Sequence, residues 1–187
     1  MSGAGPAVVV LASGRGERFR ASGGTGSKLQ ALLAGRTVLE HTLEAVRASG
    51  LRWHLEDAGH EGMGDSIAAG VRATTDAGGW LILPGDLPLV RADSLVKVAM
   101  AVTAGYGVVL PTHKRQQGHP VGFGPQCRDA LLALTGAQGA APVAKEQKAA
   151  GRALEMELDD PGIVTDIDTL ADLARAETMM APGSPPS

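Results

Sequence analysis

The sequence is short of cysteine and aromatics and has no strong basic surplus. Cys127 is its only cysteine among 187 residues, so one chain can build neither a disulfide framework nor a thiolate zinc site, and a reducing, cytoplasmic setting is expected. Phe, Trp and Tyr together make up 3% of the chain, too few for base-stacking platforms. A net charge of −3 argues against a footprint for nucleic acid or anionic lipid. The N-terminal apolar run Ala7–Ala12 is too short for a signal core or a membrane span and has no basic residue before it. The expectation is a small-molecule partner, with no nucleic acid and no membrane.

Glycine and aliphatic residues are abundant. The 26 glycines assign backbone work to glycine, and a core of Val, Leu, Ile and Ala fits one domain over residues 1–180, with 181–187 (APGSPPS) as a disordered tail. Ala7–Ser13 reads as a strand buried on both faces, which implies a parallel sheet. Gly14–Gly26 then reads as a loop with five glycines and Arg15, Arg18 and Arg20. Thr37 is placed to N-cap a helix over Val38–Ser49 that stops at Gly50. Leu51–Glu56 is a weak strand, and Gly59–Gly64 a second glycine-rich loop before a helix over Asp65–Thr75.

Trp80–Pro84 is a second buried strand that runs into Gly85-Asp86, followed by a helix from Ala92 or Asp93 to about Thr103. Short strands are expected at Val108–Pro111 and His119–Phe123, helices at Gln126–Leu134 and Ala140–Ala149, and an edge strand at Leu154–Leu158. A last helix covers Thr169–Met180. This alternation predicts a three-layer α/β/α sandwich on a mostly parallel sheet, with ligands beyond the carboxyl ends of the strands.

Two familiar phosphate loops fail on the residues. The dinucleotide fingerprint begins at Gly14-Arg15-Gly16 but has Phe19 at its third glycine, and a Walker A loop fails because Lys28 lies between Ser27 and Leu29. What remains is a strand, a glycine-rich loop, Arg18 and Lys28, a set able to hold a triphosphate, the alternative being an ordinary βα loop with solvated basic residues. Asp86 is expected to project from the sheet's carboxyl edge as a Mg²⁺ ligand, the alternative being a turn or cap aspartate. Asp166 and Asp168 share one face of an extended D-I-D-T with Ile167 buried on the other; of the two, Asp168 is the expected ligand, the alternative being that one of them only supports Thr169 as cap of the last helix.

The charges are segregated along the chain. Residues 1–36 hold Arg15, Arg18, Arg20, Lys28 and Arg36 against Glu17 alone, whereas 153–180 hold a run of carboxylates from Glu155 to Glu177 against Arg175 alone. The two ends can meet over a magnesium-bound nucleotide, or form solvated faces. Gly118 and Pro120 set His119 in a turn, for ligand use or for packing. His41, His54, His60 and His113 show no paired metal spacing. Cys127 is expected to pack on a helix, and no Gly-x-Ser-x-Gly elbow occurs.

Together these residues resemble the MobA-like nucleotidyltransferases, in particular the molybdenum cofactor cytidylyltransferases. The motifs are Leu11-Ala-Ser-Gly-Arg-Gly-Glu-Arg-Phe19 with Lys28, Gly62-Met-Gly-Asp-Ser66, Gly85-Asp-Leu-Pro88, Gly118-His-Pro120 and Asp166-Ile-Asp-Thr169 with Asp172, in the family's order over most of the chain. The resemblance implies a Rossmann-like sheet of the nucleotide-diphospho-sugar transferase type. It places an NTP base near Leu11, Ala12, Ser13, Met63, Gly64 and Ser66, and phosphates on Gly14, Arg15, Gly16, Arg18 and Lys28. Mg²⁺ falls on Asp86 and Asp168, with Lys28, Arg18 and His119 in catalytic roles.

Gly-Met-Gly-x-Ser and Gly-His-Pro are similar to the cytidylyl branch, while Ser13 replaces the Ala or Gly usual there. Two departures stand out. Residues 51–61 leave room for one strand where the family usually has strand, helix and strand, so the sheet is one strand short on this reading. Thr135–Ala141 lacks the Asp and Arg that relatives usually carry near the acceptor. The implied activity is transfer of a nucleoside monophosphate, CMP preferred, from NTP to the phosphate of a molybdopterin, in the service of a molybdoenzyme. The alternatives are a guanylyl-type enzyme, a sugar-phosphate nucleotidyltransferase and a non-catalytic cofactor-binding chaperone.

Overall fold

A computed structural model describes residues 4–182. In chain order its elements are β1 (Ala7–Leu11), α1 (Glu17–Ala21), β2 (Leu32–Leu33), β3 (Arg36–Thr37), α2 (Val38–Ala48), β4 (Arg52–Glu56), α3 (Met63–Ala73), β5 (Trp80–Pro84), α4 (Ala92–Thr103), β6 (Val108–His113), β7 (Gln116–Gln117), β8 (Val121–Phe123), α5 (Arg128–Leu132), α6 (Ala141–Ala149), β9 (Ala153–Glu157) and α7 (Leu170–Met180). The main sheet runs β4-β1-β5-β8-β6-β7, with β9 on the other side of β6. Its five-residue ladders, β1 with β4, β1 with β5 and β6 with β9, are all parallel. The antiparallel pairings of β8 and β7 are shorter.

Alternation along the buried strands sorts the core into two faces. Val8, Val10, Leu81 and Leu83 pack with Leu43 and Val46 of α2 and with Leu95, Val98 and Val102 of α4. Val9, Trp80 and Ile82 face the other way, onto Ile67 and Val71 of α3, Leu131 of α5 and Val143 of α6. The expected three-layer sandwich is therefore present. A third cluster, Leu29, Leu33, Val38, Ile167 and Ala176, ties α7 to the small β2-β3 ribbon. It brings the C-terminal segment back beside the N-terminal loop.

Local chemistry sets several boundaries. Thr37 Oγ1 accepts from the Glu40 amide while the Glu40 carboxylate accepts from the Thr37 amide, a capping box that starts α2 where the sequence predicts. Thr169 and Asp172 do the same for α7. The reading of Gly14–Gly26 as loop throughout is corrected, because α1 forms inside it, entered through Gly16 at φ 59°, where a side chain would be strained. Helix α3 begins at Met63 rather than Asp65, because Gly62 is its N-cap. Residues 51–62 supply one strand, β4, and lead straight into α3. Of the expected tail, residues 183–187 lie outside the described residues. No helix among the described residues is long and apolar enough to cross a membrane.

Candidate active site

The parallel strands β1 and β5 end side by side, and the chain leaves both on the same edge. Gly85 donates its amide to the Leu11 carbonyl at 2.8 Å, locking the two exits together. A cavity of about 330 Å³ opens there, lined by Leu11, Ser13, Gly14, Arg15, Lys28, Met63, Ser66 and Asp86 among others. Its floor is pinned by the Ser13 and Ser66 hydroxyls, 2.9 Å apart, which join the end of β1 to the first turn of α3. A second concavity of about 320 Å³ continues from it over Gly14, Arg15, Gly16, Arg18, Lys28 and Asp168. The two share Gly14, Arg15 and Lys28, so they form one continuous track.

Lys28 is the centre of the site. Its Nζ donates to Asp86 Oδ2 at 2.6 Å and to Asp168 Oδ1 at 2.8 Å, with both lysine and Asp86 largely buried. Burial works against the charge on Lys28, but Asp86 and Asp168 together outweigh it and hold the ammonium above its ordinary value. The hydrogen bond from Lys28 is also the main reason Asp168 lies below the usual carboxylate range, against the effect of its burial and with help from Arg18 at 3.0 Å. Asp166 behaves oppositely. Burial and then the neighbouring Asp86 and Asp168 push it up, with only partial relief from its backbone and Lys28.

Ligand oxygens of Asp86, Asp166 and Asp168 lie within 4.8 Å of one another, and Ile167 between the last two is fully buried. Asp86 Oδ1 is buried and has no hydrogen-bond partner among the described residues. A hard divalent cation takes such carboxylate oxygens, so the donor set fits one. His119 stands close by, after Gly118 and before a cis bond to Pro120. Burial pushes its imidazole down, with Asp86 and Asp166 only partly opposing, so it is neutral at pH 7.

The structure thus brings together Leu11, Ser13, Gly14, Arg15, Gly16, Arg18, Lys28, Met63, Ser66, Asp86 and Asp168. Arg18 is exposed and pairs with Asp168. Ala12 and Gly64 are used differently. The Ala12 amide bonds the Glu56 carbonyl, and Gly64 donates to the Gly136 carbonyl at 2.8 Å. A side chain on Gly64 would lie 2.8 Å from the Thr135 carbonyl, and one on Gly62 would collide with Gly136, so these glycines let residues 135–137 close over α3. His119 lines a separate, third cavity. Asp86 stands at the sheet's carboxyl edge as expected, mostly enclosed and paired with Lys28.

Sequence reasoning passed over His60, Glu61 and Ala137, which also line the first cavity. Buried Glu56 at the end of β4 holds the approach to them, accepting from the Ala58 amide and meeting His54 and His60 at 3.2 and 3.1 Å. The Gly62-Met-Gly spacing was the available signal for Ala137, since glycines two apart at a helix start mark a close backbone approach. Asp166 was visible in D-I-D, where alternation puts both carboxylates on one side.

Residues 44–151 match the model of the MobA-like NTP transferase domain. The chain belongs to the MobA-like NTP transferase family. Among curated relatives, the bifunctional protein GlmU of Alkalilimnicola ehrlichii is 29% identical over 151 residues, covering 69% of this chain. The chain spans 31% of that relative's length. A nucleotidyl transferase from Methanothermobacter thermautotroptrophicus superposes with a TM-score of 0.76 at 22% identity, over 94% of this chain and 97% of that one. Rv0371c from Mycobacterium tuberculosis H37Rv gives 0.71 at 20% identity, over 95% and 100%. At these identities the two structures establish a shared fold.

Proposed function

We propose that this member of the family transfers a nucleoside monophosphate from an NTP, preferably CTP, to the phosphate of a molybdopterin, releasing pyrophosphate. The observation that carries the reading is Lys28, an ammonium held between Asp86 and Asp168 where the two adjoining cavities meet. The acceptor phosphate is already an anion at neutral pH, so an acceptor oxygen can bond to the α-phosphorus as the bond to the β-phosphate oxygen breaks, without a general base. The protein's work is alignment and neutralisation of charge.

Asp86, Asp166 and Asp168 would hold the cation, assigned as Mg²⁺, which when bound neutralises phosphate oxygens. Lys28 then leaves its two carboxylates for the phosphates. Arg15 and Arg18 flank the same concavity and add cationic contacts. Neutral His119 offers a hydrogen bond beside the carboxylates without adding charge. The Ser13–Ser66 bridge fills the floor of the base space and favours the smaller pyrimidine.

Labelled transfer from α-phosphate-labelled CTP and GTP to molybdopterin with Mg²⁺ tests the reading. Label should appear in the product with CTP ahead of GTP, by a margin within the ~10–200-fold that shape selection gives. Preference for GTP would move the chain to guanylyl transfer, and no transfer from either would remove the molybdopterin assignment.

A further inference from the structure

Strand β4 is the last at one end of the main sheet, and among the described residues it pairs with β1 alone. The Ala12 amide donates to the Glu56 carbonyl at 2.9 Å, which fixes the direction of every backbone group along β4. Those of Arg52, His54 and Glu56 turn inward to β1. Those of Trp53 and Leu55 point out of the sheet, with no backbone partner among the described residues. An edge of this kind is normally protected by proline, lysine, a bulge or a covering segment. β4 reads Arg-Trp-His-Leu-Glu and runs one-to-one with β1 from Arg52 to Glu56, so it has no proline, lysine or bulge. Trp53 is 36% exposed, with the Arg47 guanidinium 5.6 Å from its ring.

The two ends of the sheet differ in what they do to a copy of themselves. An in-register antiparallel pairing of β9 with another β9 sets Glu155 against Glu155, which repels. The same pairing of β4, centred on His54, sets Arg52 opposite Glu56 and Trp53 opposite Leu55 of the second copy. The hydrogen bonds agree with this register. Outward-pointing Trp53 and Leu55 face each other and exchange both backbone bonds, while inward-turned His54 falls on the axis as a non-bonded pair. The faces agree too. Leu55 packs on the cluster that holds Leu43 and Val46 of α2, whereas Arg52 forks onto Asp76, just after α3. A two-fold axis through His54 and normal to the sheet therefore keeps each helical layer on its own side. We propose that the β4 edge binds a second copy of the chain, joining the two sheets into one through antiparallel β4 strands. The pairing is independent of what the carboxyl edge of the sheet binds.

Sedimentation equilibrium of the full chain, over a dilution series up to about 100 μM, should reach twice the 19.0 kDa of one chain and go no higher. Amide exchange followed residue by residue reads the register. From the dilute to the concentrated end, the Trp53 and Leu55 amides should gain about tenfold or more in protection, while the His54 amide, bonded to β1 in both states, should change by less than about twofold. Trp53→Pro removes an outward N–H without breaking the β1 ladder and should weaken the dimer by about tenfold or more. Trp53→Phe keeps the N–H and an aromatic ring and should stay within about threefold of the unaltered chain. A monomer at every concentration, open-ended growth beyond the dimer, a dimer whose Trp53 and Leu55 amides exchange as in the monomer, or equal association of the two variants would overturn the proposal. If Trp53→Pro fails to fold, amide exchange on the unaltered chain decides.

Discussion

On the proposed function Lys28 has two jobs that cannot be done at once. Its ammonium neutralises Asp86 and Asp168 in the structure, and the proposed transfer needs it on the phosphates. Removing it in Lys28→Ala should therefore have opposite effects on two ligands. Mn²⁺, followed by its paramagnetic resonance signal without nucleotide, should bind more tightly, because the carboxylates lose their resident cation. NTP should bind more weakly and turnover should fall, by ~2–4 kcal/mol in transition-state stabilisation, the size typical of one preorganised contact. Weaker or unchanged Mn²⁺ binding would show that the lysine does not compete for the carboxylates. Asp86 was legible after an apolar strand and Asp168 in the alternation of D-I-D-T, each as a single residue. Their closure by Lys28 was not, because a long flexible side chain gives no periodic sign of where its tip will rest.

Among the elements, β4 connects stability to the site through one buried carboxylate. Burial opposes ionisation of Glu56, but His54, the Ala58 amide and His60 together hold it below its ordinary value of 4.5. A depressed carboxylate contributes stability that is full above its unfolded value and is lost as the pH falls through the folded one. Glu56→Gln should thus melt lower at pH 7, by the ~1–3 kcal/mol of a buried partner left unmatched. The gap to the unaltered chain should narrow on going below about pH 4. A gap that stays constant down to pH 3 would show that the charge on Glu56 does not support the 57–62 turn.

The elements also divide by how far their causes reach. β1, β5, α2 and α7 were legible because apolar runs and capping residues lie within a few positions of each other. β7 was not, for its two glutamines are exposed and only the register with Thr112 and His113 makes them a strand. β9 read correctly as an edge, but its parallel pairing with β6 depends on a partner some forty residues away.

For the molecule as a whole, the opposite charges of its two ends acquire a use. Arg18 and Lys28 meet Asp168 across the site, with Ile167, Leu29 and Ala176 packed beneath them in one apolar cluster. Strand order puts both buried parallel strands and their exits in the middle of the sheet, where the glycine-rich loop, Asp86 and the Asp166–Asp168 turn converge. The central claim is that this convergence is a metal-dependent nucleotidyl-transfer centre. The most direct measurement is pyrophosphate release from CTP and molybdopterin by the unaltered chain and by Asp86→Asn, with melting curves taken on both. The account predicts Mg²⁺-dependent release by the first, none above background by the second, and a folded protein in each case; full release by folded Asp86→Asn would contradict it.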